Sequence, residues 1–188
     1  MIAYKGFEKD LSCTAGGNRF QYRLGVINTT EAANCRKDGF HCAEDPLDCL
    51  SYYSDWDNSV YYIVDAGGDI NEDGEDSKIS CTEMLLLKEL TMEEFLMESL
   101  IYISNHPLRK MNGNVRMDEA EAYGKFVIVR GKQPIAKGVK GAFLGFARED
   151  KSSSEINDIA VYKIDGVNFL PDTWYTVEGV PYEKGEES

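Results

Sequence analysis

Ile2 to Phe7 is a short, apolar and aromatic run, and it predicts an opening strand. Phe20 to Leu24 alternates apolar and polar positions and predicts a second strand, with Thr14-Ala15-Gly16-Gly17-Asn18 as the turn between. Residues 25–38 are polar and read as irregular. Asp45-Pro46 then offers a helix cap followed by proline at the first helical position. Leu47, Leu50 and Tyr53 give that short helix one apolar face. Val60 to Val64 is apolar throughout and predicts an internal strand that Gly67-Gly68 ends. An acidic loop follows from Asp69 to Asp76, and Ile79 to Leu87 is a further strand, with helix as its alternative.

The strongest helical pattern lies at 92–104. Thr91 and Glu94 are spaced as a capping box, and Met92, Phe95, Leu96, Leu100 and Ile103 share one face. Asn105 and Pro107 stop it. Beyond Pro107 lysine and glycine rise, and short β-prone pieces recur at Phe126–Val129, Ala142–Phe146, Ile156–Ile164 and Thr173–Val177. Gly131, Gly138, Gly141 and Gly145 punctuate them, and the tail from Glu183 is charged and reads as frayed. The expected class is α+β: a mixed, strongly acidic domain over 1–108, then a small β-rich module over 109–188.

Charge sharpens the division. The net charge is −13, and residues 1–104 hold 20 acidic and 8 basic side chains, a net −12. Residues 109–140 hold eight basic and three acidic side chains, a net +5. Phosphate contact needs Lys and Arg, so the first half is not expected to bind nucleic acid directly. A basic partner protein is the natural complement of that half. No apolar run is long enough to span a bilayer and the opening Met1 to Phe7 lacks the long apolar stretch of a secretory signal, so a cytoplasmic location and no membrane partner are expected.

The candidate chemistry is sparse. Asp69-x-Asn71-x-Asp73-Gly74 matches the first half of a calcium loop, but Ser80 stands where the bidentate glutamate belongs. Cys35, Cys42 and Cys49 fall seven apart with His41 and His106 as the only histidines, a spacing too wide for a structural zinc site; buried free thiols are the expectation. No P-loop, Rossmann glycine pattern, serine-hydrolase elbow or HExxH is present, so no cofactor is expected and the reading is non-catalytic.

Two resemblances follow from particular residues. Gly39-Phe40-His41-Cys42-Ala43, then Tyr52-Tyr53, then the strand at Val60–Val64, resembles the core of ADP-ribosyltransferases of the poly(ADP-ribose) polymerase type. That resemblance implies Tyr52 or Tyr53 stacking on nicotinamide and Glu83 polarising the ribose. Its first strand carries a His-Gly or an arginine, where Tyr4-Lys5-Gly6 stands here. The whole chain is also similar to a family scattered through phages, prophages and gut bacteria. The matching residues are Ala3-Tyr4-Lys5-Gly6-Phe7, Phe20-Gln21-Tyr22, Cys35, Gly39 to Cys42, Pro46-Leu47-Asp48, Tyr52-Tyr53, Ser77-Lys78-Ile79, Asp165-Gly166 and Pro171 to Thr176.

In many of those relatives a repetitive Gly/Ser/Ala segment resembling a short β-solenoid separates the two ends. Here it is compressed to Gly113–Gly141, with Ala120-x-Ala122 and Ala136-Lys137-Gly138 as remnants and no tandem period, so a long solenoid is not expected. The setting implies a phage or mobile-element accessory protein, with a virion-associated structural role as an alternative. The expected activity is binding, and possible inhibition, of a basic host protein such as a defence or nucleic-acid-binding factor. The contact residues would be Asp65, Asp69, Glu72, Asp73, Glu75 and Asp76.

Overall fold

The computed structural model describes residues 1–15, 18–34, 38–72 and 77–184. The chain divides into two compact units, Met1–Thr91 and Met92–Ser188. The division falls before the helix, not at the compositional change after residue 108. The reason is packing, because the helix lies against strands of the second unit.

In the first unit, β1 (Ile2–Glu8) pairs antiparallel with β6 (Ser59–Glu72) from Ile2↔Asp65 to Glu8↔Ser59. β6 pairs antiparallel with β7 (Lys78–Leu90), and β7 also carries β5 (Phe40–Ala43) on its other edge. A single pair, Tyr4↔Ala43, joins β5 to β1. The order β5–β1–β6–β7–β5 therefore closes on itself as a small barrel, with β4 (Asn28–Thr29) added to β7. Alternation sends Ala3, Phe7, Phe40, Cys42, Val64, Ile79 and Cys81 into one buried cluster. The hairpin of β2 (Ser12–Ala15) and β3 (Asn18–Gln21) supplies Cys13, and the chain just after it supplies Tyr22.

Gly67-Gly68 does not end the strand at Val64. The ladder slips between Gly67 and Ile70, Gly68 takes φ +69°, and pairing resumes at Ile70↔Cys81. A bulge bends a strand without ending it, so β6 runs on along β7 as far as Glu72↔Ile79. Asp45 caps as the sequence predicts, its side chain accepting from the Leu47 N–H at 2.9 Å. The helix it opens is a single 3₁₀ segment, Pro46–Ser51. The first unit is thus a β structure without an α-helix among its described residues, not the mixed domain expected.

The second unit holds α1 (Met92–Asn105) and the strands β8 (Val115–Ala122), β9 (Phe126–Gly138), β10 (Phe143–Glu149), β11 (Ile156–Lys163) and β12 (Tyr175–Thr176). β8, β9 and β10 are parallel neighbours, with Ala122 beside Gly138 and Phe126 beside Phe143. The link from Ala122 to Phe126 reaches at most about 15 Å, whereas a straight strand from Phe126 to Gly138 would rise roughly 40 Å. The strands must therefore fold back, each turning a corner along its length. Those corners are the slip between Met117 and Glu119, where Asp118 takes φ +60°, and the facing stretch after Arg130.

The chain winds as two stacked coils and the start of a third. Val115–Met117, Ile128–Arg130 and Gly145–Ala147 stack on one side, and Glu119–Ala122 and Ile135–Gly138 on the other. β11 closes the first side and β12 the second, both antiparallel. The interior is small-residue rich, with Ala122, Ala136 and Ala142 around Val129, Leu144 and Phe146. A solenoid of minimal length survives although no tandem repeat marks it. The whole protein is α+β in the broad sense and β-rich in content.

Candidate functional site

The motif residues of the first unit converge where β1 and β5 part. Continuing the register beyond Tyr4↔Ala43 would set Gly6 opposite His41, but no ladder pair forms there. The Lys5 ammonium fills the gap and donates to the His41 carbonyl oxygen at 2.6 Å. Lys5 is buried, with its Nζ 5.2 Å from the Phe7 ring centroid and 5.5 Å from that of Tyr22. Ring faces attract an ammonium, which offsets part of its desolvation. No carboxylate lies within ion-pair distance of it among the described residues.

Three thiols surround this seam. Cys42 and Cys81 share the inward face of the β5–β7 ladder, and the Cys81 thiol donates to the Phe40 carbonyl at 3.4 Å. The neighbouring Cys81 side chain and burial raise the Cys42 thiol well above its ordinary value. The Cys42 side chain, with the Lys5 charge adding to it, lowers Cys81. Burial pushes Cys49, on the 3₁₀ helix, up to about 12. His41 is half-buried, and desolvation followed by the charges of Lys5 and Lys78 holds it down to about 4. It is therefore neutral at ordinary pH.

On the outer side, the 3₁₀ helix is tied to the start of β7. The Ser77 hydroxyl donates to Asp48 at 2.6 Å, and the Asp45 N–H donates to the Ser77 Oγ at 2.9 Å. Lys78 lies over the Tyr52 ring at 3.9 Å and donates to its hydroxyl. Tyr53 instead packs against Gly6, where a Cβ would stand 2.7 Å from the Tyr53 ring. Sequence reasoning singled out these motif residues but not Lys5 with Cys81. The signal was available: a lysine at an inward position of an apolar strand.

The structure does not bring the transferase-like residues together. Glu83 is exposed on β7, opposite Gly67 and Thr29, and no hydrogen bond or ring contact joins it to Tyr52 or Tyr53. Five residues of strand, roughly 17 Å of rise, separate it from Lys78, where Tyr52 sits. Of the calcium-loop residues, Asp69 lies in the ladder slip of β6, Asn71 pairs with Ser80 on β7, and Asp73 lies outside the described residues. No group of three or more His, Cys, Asp or Glu among the described residues is placed to hold a metal ion. Cys35 lies outside them, Cys42 faces the barrel core, and Cys49 is on the 3₁₀ helix.

Of the six acidic contact residues, Asp73, Glu75 and Asp76 lie outside the described residues. Asp65, Asp69 and Glu72 are exposed along β6. Asp65 pairs with the amino group of Met1 at 2.9 Å. The carboxylates of Asp69, Glu72 and Glu83 meet no Lys or Arg among the described residues. Among those residues no helix is long and apolar enough to cross a membrane.

Fold and site together define a β-rich protein of two units, the first a closed barrel with a buried lysine at its seam and an acidic outer strand. That first unit places the chain in a known family. The chain belongs to the family described as a domain of unknown function (DUF7666), whose model matches residues 1–98. The match spans the barrel and enters α1, and the coils of the second unit lie beyond it. No curated protein and no solved structure matches the chain.

Proposed function

We propose that the protein is a non-catalytic accessory protein of a phage or other mobile element that binds a basic surface of a host protein. The observation that supports this reading is the run of exposed carboxylates on β6 and β7, Asp69, Glu72 and Glu83, that meet no Lys or Arg among the described residues. Exposed charges left unpaired within a molecule are free to meet an external partner, and they steer association with basic surfaces. Asp73, Glu75 and Asp76 follow directly in the sequence. A host factor that itself binds nucleic acid presents the complementary surface, so occupying it would inhibit that factor.

The test is a pull-down of tagged full-length protein from bacterial host lysate at about 0.05 M and about 0.5 M salt, read by mass spectrometry. The expected result is one stoichiometric basic partner, retained at low salt and released at high salt. Asp69→Asn with Glu72→Gln and Glu83→Gln should weaken it. Retention of the same partner by the neutralised protein rejects the acidic surface, and absence of any stoichiometric partner rejects the binding role.

A further inference from the structure

We propose that the second unit contacts nucleic acid: the corner around Arg130, where Arg109, Lys110, Arg116, Lys132 and Lys151 are all exposed, grips a phosphodiester backbone. This goes beyond partner binding, lies on the other unit and does not depend on it. Arg130 is the buried clamp of the corner. Its guanidinium donates to the Pro107 carbonyl at 2.7 Å and the Ser154 carbonyl at 3.2 Å, and pairs with Glu149 at 2.7 Å. It thereby ties the turn that holds Arg109 and Lys110 to the loop that holds Lys151. Lys132 lies two residues further along β9, and its ammonium donates to the Lys151 carbonyl at 2.8 Å. Arg116 stands on β8 beside Met117, the residue paired with Arg130.

None of these five cations meets a carboxylate within ion-pair distance among the described residues. Elsewhere in the unit Lys137, Arg148 and Lys184 are each paired with an acid. Where the five bond, the acceptor is neutral: the Tyr102 hydroxyl for Arg109 at 2.5 Å, the Gly113 carbonyl for Arg116 at 2.6 Å. The negative end of α1 favours nearby cations, which accounts for Arg109 and Lys110 but not for Arg116, Lys132 or Lys151. The carboxylates of the corner are fewer, Asp118, Asp150 and Glu155, and Asp150 is taken up by Ser152 and Asn157. Exposed ammonium and guanidinium groups so placed keep donors for an outside anion.

A phosphodiester backbone is the anion that suits this corner. Its charges repeat along a strand, so separate cations on one scaffold each neutralise a phosphate and release a counter-ion. Asn114 and Ser153, exposed beside the cations, add neutral donors that phosphate oxygens also accept. A bilayer needs a broad apolar face beside its cations, whereas Leu108, 88% exposed, protrudes from a turn and not from an amphipathic helix. The contact is to phosphate, so it carries no base preference.

The test is fluorescence anisotropy of a short labelled DNA duplex, and of its single strand, titrated with full-length protein freed of nucleic acid. The expected result is binding that weakens about a hundredfold between about 0.05 M and about 0.2 M salt. Lys110→Gln with Arg116→Gln, Lys132→Gln and Lys151→Gln, all at exposed positions, should weaken it more than about tenfold and lower the salt slope by about 1 per cation. Asp69→Asn with Glu72→Gln and Glu83→Gln should leave it intact, which separates this contact from the partner surface. No binding of either DNA form at the lower salt overturns the proposal. An equal loss in Lys140→Gln with Lys163→Gln, exposed cations outside the corner, overturns it as well. Binding to vesicles of phosphatidylglycerol and phosphatidylcholine in equal parts, with neither DNA form bound, would assign the corner to a lipid surface instead.

Discussion

The Lys5 ammonium takes the place of a strand: it donates at 2.6 Å to the His41 carbonyl where the β1–β5 ladder stops after one pair. A buried carbonyl without a partner is unfavourable by about 1–3 kcal/mol. Lys5 meets that need by placing a charge inside the barrel wall. Two consequences follow for His41, whose imidazole feels the same ammonium.

The first concerns titration. Burial comes first among the causes that hold His41 down to about 4, and Lys5 is next. Removing the ammonium while keeping the apolar stem, as in Lys5→Met, should raise the His41 pKa toward the ordinary 6.5 without reaching it. NMR titration of the imidazole C–H resonances checks this directly. An unchanged His41 pKa would show that burial alone sets it.

The second concerns stability against pH. The folded pKa of His41 lies below the ordinary 6.5, so the unfolded chain takes up a proton first as pH falls. The stability that neutral His41 contributes is whole above 6.5 and is lost progressively as pH falls toward about 4. Urea unfolding of the native protein and of His41→Gln across that window should give a steeper fall for the native protein. Parallel curves would remove His41 from the acid response.

Part of this fold could be read from the sequence because local signals agreed with tertiary packing. The helix after Thr91 and the capped segment after Asp45 formed where the pattern placed them. The extent of β6 was hidden because Gly67-Gly68 is read locally as a stop, while β7 pairs across it and makes it a bulge. The coils escaped for a related reason. Their parallel partners are 13 and 17 residues apart, Val115 with Ile128 and Phe126 with Phe143, so no fixed period exists to find. The Lys5 seam was half legible: the lysine's inward position on an apolar strand shows in the sequence, but the His41 carbonyl it meets is set only when the ring of strands closes.

Gly6 tests the packing behind the seam. A Cβ there would stand 2.7 Å from Tyr53 Cδ2 and 2.8 Å from Cγ. The Tyr53 backbone is held by the Tyr61 hydroxyl, which donates to its carbonyl, so the ring has little room to retreat. Gly6→Ala should destabilise by about 1–3 kcal/mol in chemical denaturation. Gly113→Ala, where nothing lies within 4 Å of the new Cβ, should shift stability by no more than about 0.5 kcal/mol. Equal effects would mean that the Tyr53 contact is not what requires glycine.

Arg130 anchors the second unit by a different means. Its side chain is 8% exposed, pairs with Glu149 at 2.7 Å, and donates to the carbonyls of Pro107 and Ser154. Removing one partner of such a pair leaves the other charge buried, a loss of about 3–5 kcal/mol. Arg130→Met should show that loss, whereas Arg130→Met combined with Glu149→Leu should recover much of it. Denaturation of the two variants beside the native protein decides. No recovery in the double variant would assign the effect to the Pro107 and Ser154 carbonyls instead.

Gly138 tests whether the coils stack as closely as their pairing implies. A Cβ on Gly138 would lie 3.1 Å from the Ala122 Cβ of the coil before it and 3.3 Å from the Ala142 Cβ of the turn after it. Both alanines are buried, so neither can yield into solvent. Gly138→Ala asks the neighbours to move by tenths of an ångström; Gly138→Val adds two methyl groups to a gap that has no room for one. The valine variant should lose about 1–3 kcal/mol, a drop of several degrees in melting temperature. Gly124→Ala, on the open link between coils, should leave the melting temperature in place because nothing lies within 4 Å of its new Cβ. An unshifted melting temperature for Gly138→Val would mean that the two coils lie farther apart than the Ala122↔Gly138 pairing requires, and would count against the solenoid.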